Sequence, residues 1–307
     1  MTSTFKTLLL IILIIITTSC NNKPSEILNF NKDFSFQHLE KQVLYGPRIP
    51  DTKAHENTIT YITNELKKYG WETEIQEFKI LGHQGKNVVG MWGEGEPWII
   101  IGAHYDTRLI SDRELDPSKL LTPVPGANDG ASGVAVLLEL ARVLPGILEE
   151  NLHQNQRYDS SSIQQVWLVF FDLEDNGDIP GYDWILGSTE FVKSLEKSPS
   201  AAVIIDMIGD SNLKIYIESN SDYDLSEEIW EHASNLGYSE HFIPQVKYSI
   251  IDDHTPFLEN GIDAVDIIDF EYAYWHTTQD TIDKVSPESL KVVGDTIIEW
   301  IKNKRFD

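Results

Sequence analysis

Hydrophobic and polar positions divide the chain into segments of two kinds. Apolar residues in 36–44 and again in 59–66 recur at helical spacing, and the turn-forming run Gly46-Pro47-Arg48-Ile49-Pro50 separates the two stretches. Short apolar runs follow at 72–79, 87–92, 98–104, 166–172, 202–208, 214–218 and 264–268. Several are almost continuously apolar, the pattern of strands buried on both faces in a largely parallel sheet. Amphipathic segments lie between them. In residues 133–144, Val134, Leu137, Leu138, Ala141 and Leu144 share one helical face, with Glu139 and Arg142 off it. Pro145 is predicted to stop that helix. Residues 225–236 and 287–302 also read as helices. This alternation predicts an α/β fold: a three-layer α/β/α sandwich with a mixed, largely parallel central sheet, whose ligands sit at the carboxyl ends of the strands.

The N-terminus has a different character. Lys6 is the only charge before a nine-residue apolar run at 8–16, and Thr17-Thr18-Ser19 lead into Cys20, the single cysteine. Nine apolar residues are too few to cross a bilayer, which needs about 20, so the segment reads as an export signal. Small residues directly before a cysteine resemble the lipobox of bacterial lipoproteins, which implies lipidation at Cys20; a plain signal peptide with an incidental cysteine is the simpler alternative. The expected organisation is a signal peptide at 1–19, a polar tether at 20–34 and one catalytic domain at 35–307. The chain is expected to be exported and membrane-anchored, periplasmic or at the cell surface, touching the membrane only through Cys20, and to act as a monomer.

Charge and cysteine count narrow the chemistry. Lys and Arg total 24 against 49 Asp and Glu, a net charge of −25, which repels phosphate backbones and argues against nucleic acid as a partner. One cysteine excludes a disulfide framework within the chain and any Cys-rich zinc site, so a metal would have to be held by His and carboxylates.

The polar residues that can do this gather where the predicted strands end. Residues 98–103 run into His104-Tyr105-Asp106, 166–171 into Asp172-Leu173-Glu174-Asp175, and 203–205 into Asp206. Singly, an acid after a strand is usually a cap or a loop residue. Three such ends at one rim of one sheet form a constellation. Asp129 stands in Gly126-Ala127-Asn128-Asp129-Gly130-Ala131-Ser132-Gly133, just where the next helix begins, and His276 follows the last strand and a short loop. Asp129 as a helix cap and His276 as a structural residue remain open readings. A catalytic zinc wants three N or O protein ligands and one open position, and Asp129, Asp175 and His276 can supply them.

Together these segments resemble the zinc-aminopeptidase-like superfamily, which contains M28-type di-zinc exopeptidases and single-zinc glutaminyl cyclases of animal and bacterial type. His104-Tyr105-Asp106-Thr107, the segment 126–133, Glu174-Asp175, Asp206, Asp253-His254 and Trp275-His276-Thr277 occur in the superfamily's order. The cyclase branch is favoured by the insertion at 176–186 with its Trp184, by Trp275 before the histidine, and by the long connection at 107–125. Two departures stand out. Asp175 replaces the second Glu of the animal enzymes, and their disulfide cannot form here.

The resemblance implies a zinc-exopeptidase-like fold and a glutaminyl-peptide cyclotransferase. Such an enzyme converts the N-terminal glutamine of peptides or proteins to pyroglutamate and releases ammonia. It further implies one zinc ion per chain on Asp129, Asp175 and His276, Glu174 as general acid and base, and Asp206 and Asp253 holding its proton network. Trp184, Trp275 and His104 are implied at the substrate, with core packing an equal alternative for Trp184. His104 and Asp206 hold the second zinc in the exopeptidases, so a second metal stays open, as does the alternative activity of an M28-type zinc aminopeptidase.

Overall fold

The structure, a computed structural model, describes residues 29–154 and 161–306. Cys20 and the expected signal peptide lie outside the described residues. Residues 30–34, expected in the tether, belong to the packed body. Phe30 is buried, and Asn31 caps α1 (Lys32–Tyr45) by accepting the amide hydrogens of Asp33 and Phe34.

A six-stranded sheet forms the middle layer, in the order β1-β2-β4-β3-β5-β8. The strands β3 (Trp98–His104), β4 (Gln165–Phe171), β5 (Ala201–Asp206) and β8 (Ala264–Ile268) are parallel. The antiparallel pair β1 (Glu72–Ile80) and β2 (His83–Gly93) extends the sheet beyond β4. The sheet is therefore mixed, with a parallel centre, as the hydrophobic runs predict.

Strand alternation gives each face its own core. Ile99, Ile101, Leu168, Phe170, Val203, Ile205 and Val265 pack beneath α1, α2 (Lys53–Lys68), α3 (Ala131–Gln154), α5 (Tyr223–Asn235) and α7 (Pro287–Asn303). Trp98, Ile100, Val169, Phe171, Ala202 and Ile204 pack beneath α4 (Leu186–Ser194) and α6 (Thr255–Glu259). The parallel strands run in one direction, so their carboxyl ends open on one rim, and the polar ends gather there.

Two elements depart from the sequence reading. A short parallel pair, β6 (Ile215–Glu218) with β7 (Phe242–Tyr248), lies outside the main sheet. β7 is mostly half-exposed or exposed and contains Pro244, so it carries no apolar run to read. The second departure is α3, which does not stop at Pro145 but runs on to Gln154. Proline lacks the N–H that would bond the carbonyl four residues back, here Ala141. The indole N–H of Trp71 donates to the Ala141 oxygen at 2.8 Å and replaces the missing bond. Trp71 thus lets a proline persist inside a buried helix.

This substitution of one donor for another predicts a coupling. Trp71→Phe, which leaves a buried carbonyl unpaired, should cost about 1–3 kcal/mol in urea unfolding. In a Pro145→Ala background, where the backbone can supply the bond, the same change should cost about 1 kcal/mol less. Equal costs in both backgrounds would contradict the assignment.

Candidate metal centre and active site

The structure brings five of the sequence-derived residues into two adjoining sets. His104 closes β3, Asp206 closes β5, Asp175 lies in the loop after β4, Asp129 lies just before α3, and His276 lies beyond β8. His276 Nε2 is 2.9 Å from Asp175 Oδ1 and 3.6 Å from Asp129 Oδ2. His104 Nε2 is 3.0 Å from Asp206 Oδ1 and 3.2 Å from Asp129 Oδ1. Asp129 therefore belongs to both trios, offering one oxygen to each, and within each trio the ligand atoms lie within 4.8 Å of one another.

The surrounding chain fixes these positions. Asp280 accepts the backbone N–H of Asn128 at 2.8 Å and of Asp129 at 3.1 Å, and is itself held by the Tyr272 hydroxyl at 2.7 Å. Fully buried Arg48 donates to the carbonyls of Tyr105, Pro125, Gly126 and Asp129, tying the chain after β3 to the turn that carries Asp129. Gly130 has φ +90, and a Cβ there would lie 2.7 Å from the Asp106 carbonyl, so only glycine lets the turn pass. Asp106 in turn accepts the amide hydrogens of Glu174 and Asp175. Four side-chain-bearing residues near the centre adopt positive φ: Leu173, Ile185, Met207 and His276. Each such conformation costs on the order of 1–3 kcal/mol, and here it turns the chain abruptly enough to aim neighbouring side chains at the rim.

A cavity of about 300 Å³ opens beside the first trio. Glu174, Asp206 and Asp252 bring carboxyl groups to it, and Trp184, Trp275, Ile250 and Phe270 are among its walls. Trp184 lies parallel to the His276 ring, with centroids 6.1 Å apart. Trp275 packs against Phe270, and its indole N–H makes no hydrogen bond among the described residues.

Two of the implied residues do not line the cavity. His104, implied at the substrate, is not among the cavity's lining residues; it is buried against Asp206 and Asp129. Asp253, implied in the proton network, is also buried away from the cavity, and its neighbour Asp252 reaches the cavity instead. The sequence offered two adjacent acids with no periodicity to choose between them. Asp252 further joins His254 and Asp266 in a third buried cluster, where Glu218 Oε2 is 3.2 Å from His254 Nε2. Asp266 escaped notice because it sits inside the apolar run of β8.

Burial dominates the electrostatics. It pushes Glu174 well above the usual carboxylate range, with Asp252, Asp175 and Asp253 adding to the shift and His104 opposing it. Burial and the Asp129 charge raise Asp175 to about 6. Burial and Asp206 raise Asp252 to about 7. Asp129 goes the other way: His104, His276 and Arg48 outweigh its burial and lower it. His276 is raised to about 9, because Asp175, Asp112 and Asp129 overcome the opposing effect of burial. Asp129 Oδ2 and Asp175 Oδ2 are buried without hydrogen-bond partners. Two aspartates converging on one histidine nitrogen, each with an oxygen left orphaned, form a donor set that fits zinc.

The comparisons with known proteins agree with this geometry. Peptidase family M28 matches residues 87–301. A glutaminyl cyclase from Tannerella forsythia is 31% identical, with TM-score 0.80 over 90% of this chain and 99% of that one. A Zn-dependent exopeptidase from Parabacteroides distasonis gives the same four values. The glutaminyl-peptide cyclotransferase of Drosophila melanogaster is 24% identical over 83% of this chain and 78% of its own length.

The shifted groups predict how the metal-free protein responds to pH. Asp175 and Asp252 have folded values above their unfolded ~4, so the folded state binds more protons and gains stability as pH falls through about 7 and 6. His276 has the same sign: its contribution is complete below its unfolded ~6.5 and is lost as pH rises through about 9. The chelated protein should therefore melt higher near pH ~5.5 than near ~8.5, and zinc, which replaces protons, should shrink the difference. A higher melting temperature at the alkaline pH in chelator would contradict the charge assignment.

Proposed function

The chain belongs to peptidase family M28, and from that premise we propose that it is a zinc-dependent glutaminyl-peptide cyclotransferase, closing N-terminal glutamine to pyroglutamate with release of ammonia. The observation that carries this reading is the placement of Trp184 and Trp275 on the cavity, on the elements where the sequence resembles cyclases rather than exopeptidases. The cavity's volume suits one terminal residue, and its aromatic walls can enclose a side chain folded back on its own amine.

Asp129, Asp175 and His276 would hold the zinc, which when bound polarises the γ-amide carbonyl as a Lewis acid. The chain's own residues do the rest. The α-amine of the substrate attacks the carbonyl carbon of the side-chain amide, Cδ, so a C–N bond forms there and the bond from that carbon to the amide nitrogen breaks. Glu174 takes the proton released by the attacking amine and delivers it to the departing nitrogen, which leaves as ammonia. Its raised affinity for protons suits both halves of that transfer. Asp206 and Asp252 share the cavity with Glu174 and keep the pool of exchangeable protons close. Trp275 has its indole N–H free to donate to the substrate. Oxygen from water is not needed in the product, so the walls serve by excluding it.

A second reading has one specific observation behind it. The His104–Asp129–Asp206 trio is complete, and its residues would hold a second metal of the kind that would suit an M28-type aminopeptidase.

Glu174→Gln should retain zinc but lose about 10²–10⁴ in kcat for ammonia release from a Gln-initiated peptide. His276→Ala should lose the metal itself. Wild-type turnover by the Glu174→Gln variant would remove Glu174 from the chemistry. Release of a free amino acid with no ammonia from the wild type would favour the hydrolase.

A further inference from the structure

The connection between β3 and α3 makes contacts that neither trio explains. Residues 108–114 bridge the two loops that carry Asp175 and His276. On the acid side, Arg108 donates to the carbonyl of Asp175 at 2.8 Å and of Gly177 at 3.1 Å, while the Leu109 amide donates to Asn176 Oδ1 at 2.9 Å. On the histidine side, the Arg113 amide donates to the His276 carbonyl at 3.2 Å, and Glu114 Oε1 accepts the Thr278 amide at 2.8 Å. The guanidinium of Arg113 lies 4.4 Å from the centre of the Trp275 ring, and that of Arg108 lies 4.9 Å from Trp184.

Asp112 links the two sides. Arg108 grips it through two parallel bonds, Nε to Oδ1 at 3.0 Å and Nη2 to Oδ2 at 2.7 Å. The same Oδ1 lies 3.4 Å from His276 Nδ1. A carboxylate at Nδ1 keeps the proton on that nitrogen and leaves Nε2, which faces Asp175 and Asp129, as the lone pair for a metal. His104 is less well served: its Nδ1 makes no hydrogen bond, and Asp106 stands 3.6 Å away with both oxygens engaged by the amides of Glu174 and Asp175.

We propose that residues 108–114 form a strap whose Arg108–Asp112 pair presets the tautomer and position of His276, making Asp129–Asp175–His276 the tighter of the two metal positions. Asp112 and Arg108 are positioning residues; neither lines the cavity. The inference rests on zinc being the metal but not on which bond the enzyme acts upon. It explains how one chain with two complete trios can work with one tightly held ion.

The test is a zinc titration of the purified full-length chain against a chelator of known affinity, followed by near-UV circular dichroism and activity. Asp112→Ala should weaken the first zinc equivalent by about 10–100-fold, the usual effect of removing a carboxylate behind a ligating histidine. Asp112→Glu should recover part of that loss. His104→Ala should leave the affinity of the first equivalent as in wild type. The Asp112 side chain is 37% exposed, so its variants keep the core intact, and Asp112→Asn provides a second one should Ala fold poorly. An unchanged first affinity in a folded Asp112→Ala variant, or a larger loss in His104→Ala, would overturn the strap, as would a wild type that binds no zinc. Affinity is read without turnover. A weakened first equivalent in a protein that never releases ammonia would keep the strap and reject the cyclase; ammonia release with unchanged affinity would do the reverse.

Discussion

Crowding of buried carboxylates is the constraint on which the rest of the structure depends. Asp129, Glu174, Asp175, Asp206 and Asp252 meet at one rim around His104 and His276, with Arg48 and Arg108 alongside as further cationic partners, and all are buried. Two like charges ~4 Å apart repel by about 4 kcal/mol at an effective dielectric constant of ~20. The cluster therefore needs protons or a cation to persist. Asp280 clamping the amides beside Asp129, Arg48 gathering carbonyls, and Asp106 holding the amides of Glu174 and Asp175 all serve to keep these groups together against that repulsion.

Topology supplies the convergence and local strain supplies the aim. Parallel strands deliver His104, Asp206 and the loops after β4 and β8 to a single edge, and α3 brings Asp129 across from the helical layer. Positive φ at Leu173, Met207 and His276 then turns the chain at the acids and at the histidine itself. The large core beneath α1, α2, α3, α5 and α7 is what can sustain such conformations, since each alone would cost on the order of 1–3 kcal/mol. Within the centre, the same buried acids divide by environment. Asp129, flanked by both histidines and Arg48, is lowered despite its burial, whereas Glu174, buried and surrounded by other carboxyls, is raised well above the usual carboxylate range. In the proposed reaction Asp129 would serve as a metal ligand and Glu174 as the proton carrier.

The parallel centre of the sheet was legible because its strands are unbroken apolar runs that stop at a polar residue. That abrupt stop also marked His104, Glu174, Asp175 and Asp206. Other features depend on contacts between distant residues, which periodicity does not carry. Trp71 sustaining α3 past Pro145 is one, and the burial of His104 against Asp206 and Asp129 is another. The choice between Asp252 and Asp253 turns on a single loop conformation, and β7 lacks the apolar run that would announce it. The strap belongs to the same class, for nothing in the spacing of Arg108 and Asp112 tells which histidine they serve.

Cyclisation and hydrolysis differ in one physical respect, the source of the nucleophile. In cyclisation it is the substrate's α-amine, whose unperturbed pKa is ~7.7–8.0 and which attacks only when neutral. The most direct measurement is kcat/KM against pH for two Gln-initiated peptides, one with its amine pKa lowered by an electron-withdrawing neighbour. The rising limb should climb about tenfold per pH unit below ~7 and move between the two peptides by the difference in their amine pKa values. A limb that stays in place for both would put the rate under the control of an enzyme group, and the substrate's own amine would not be the nucleophile.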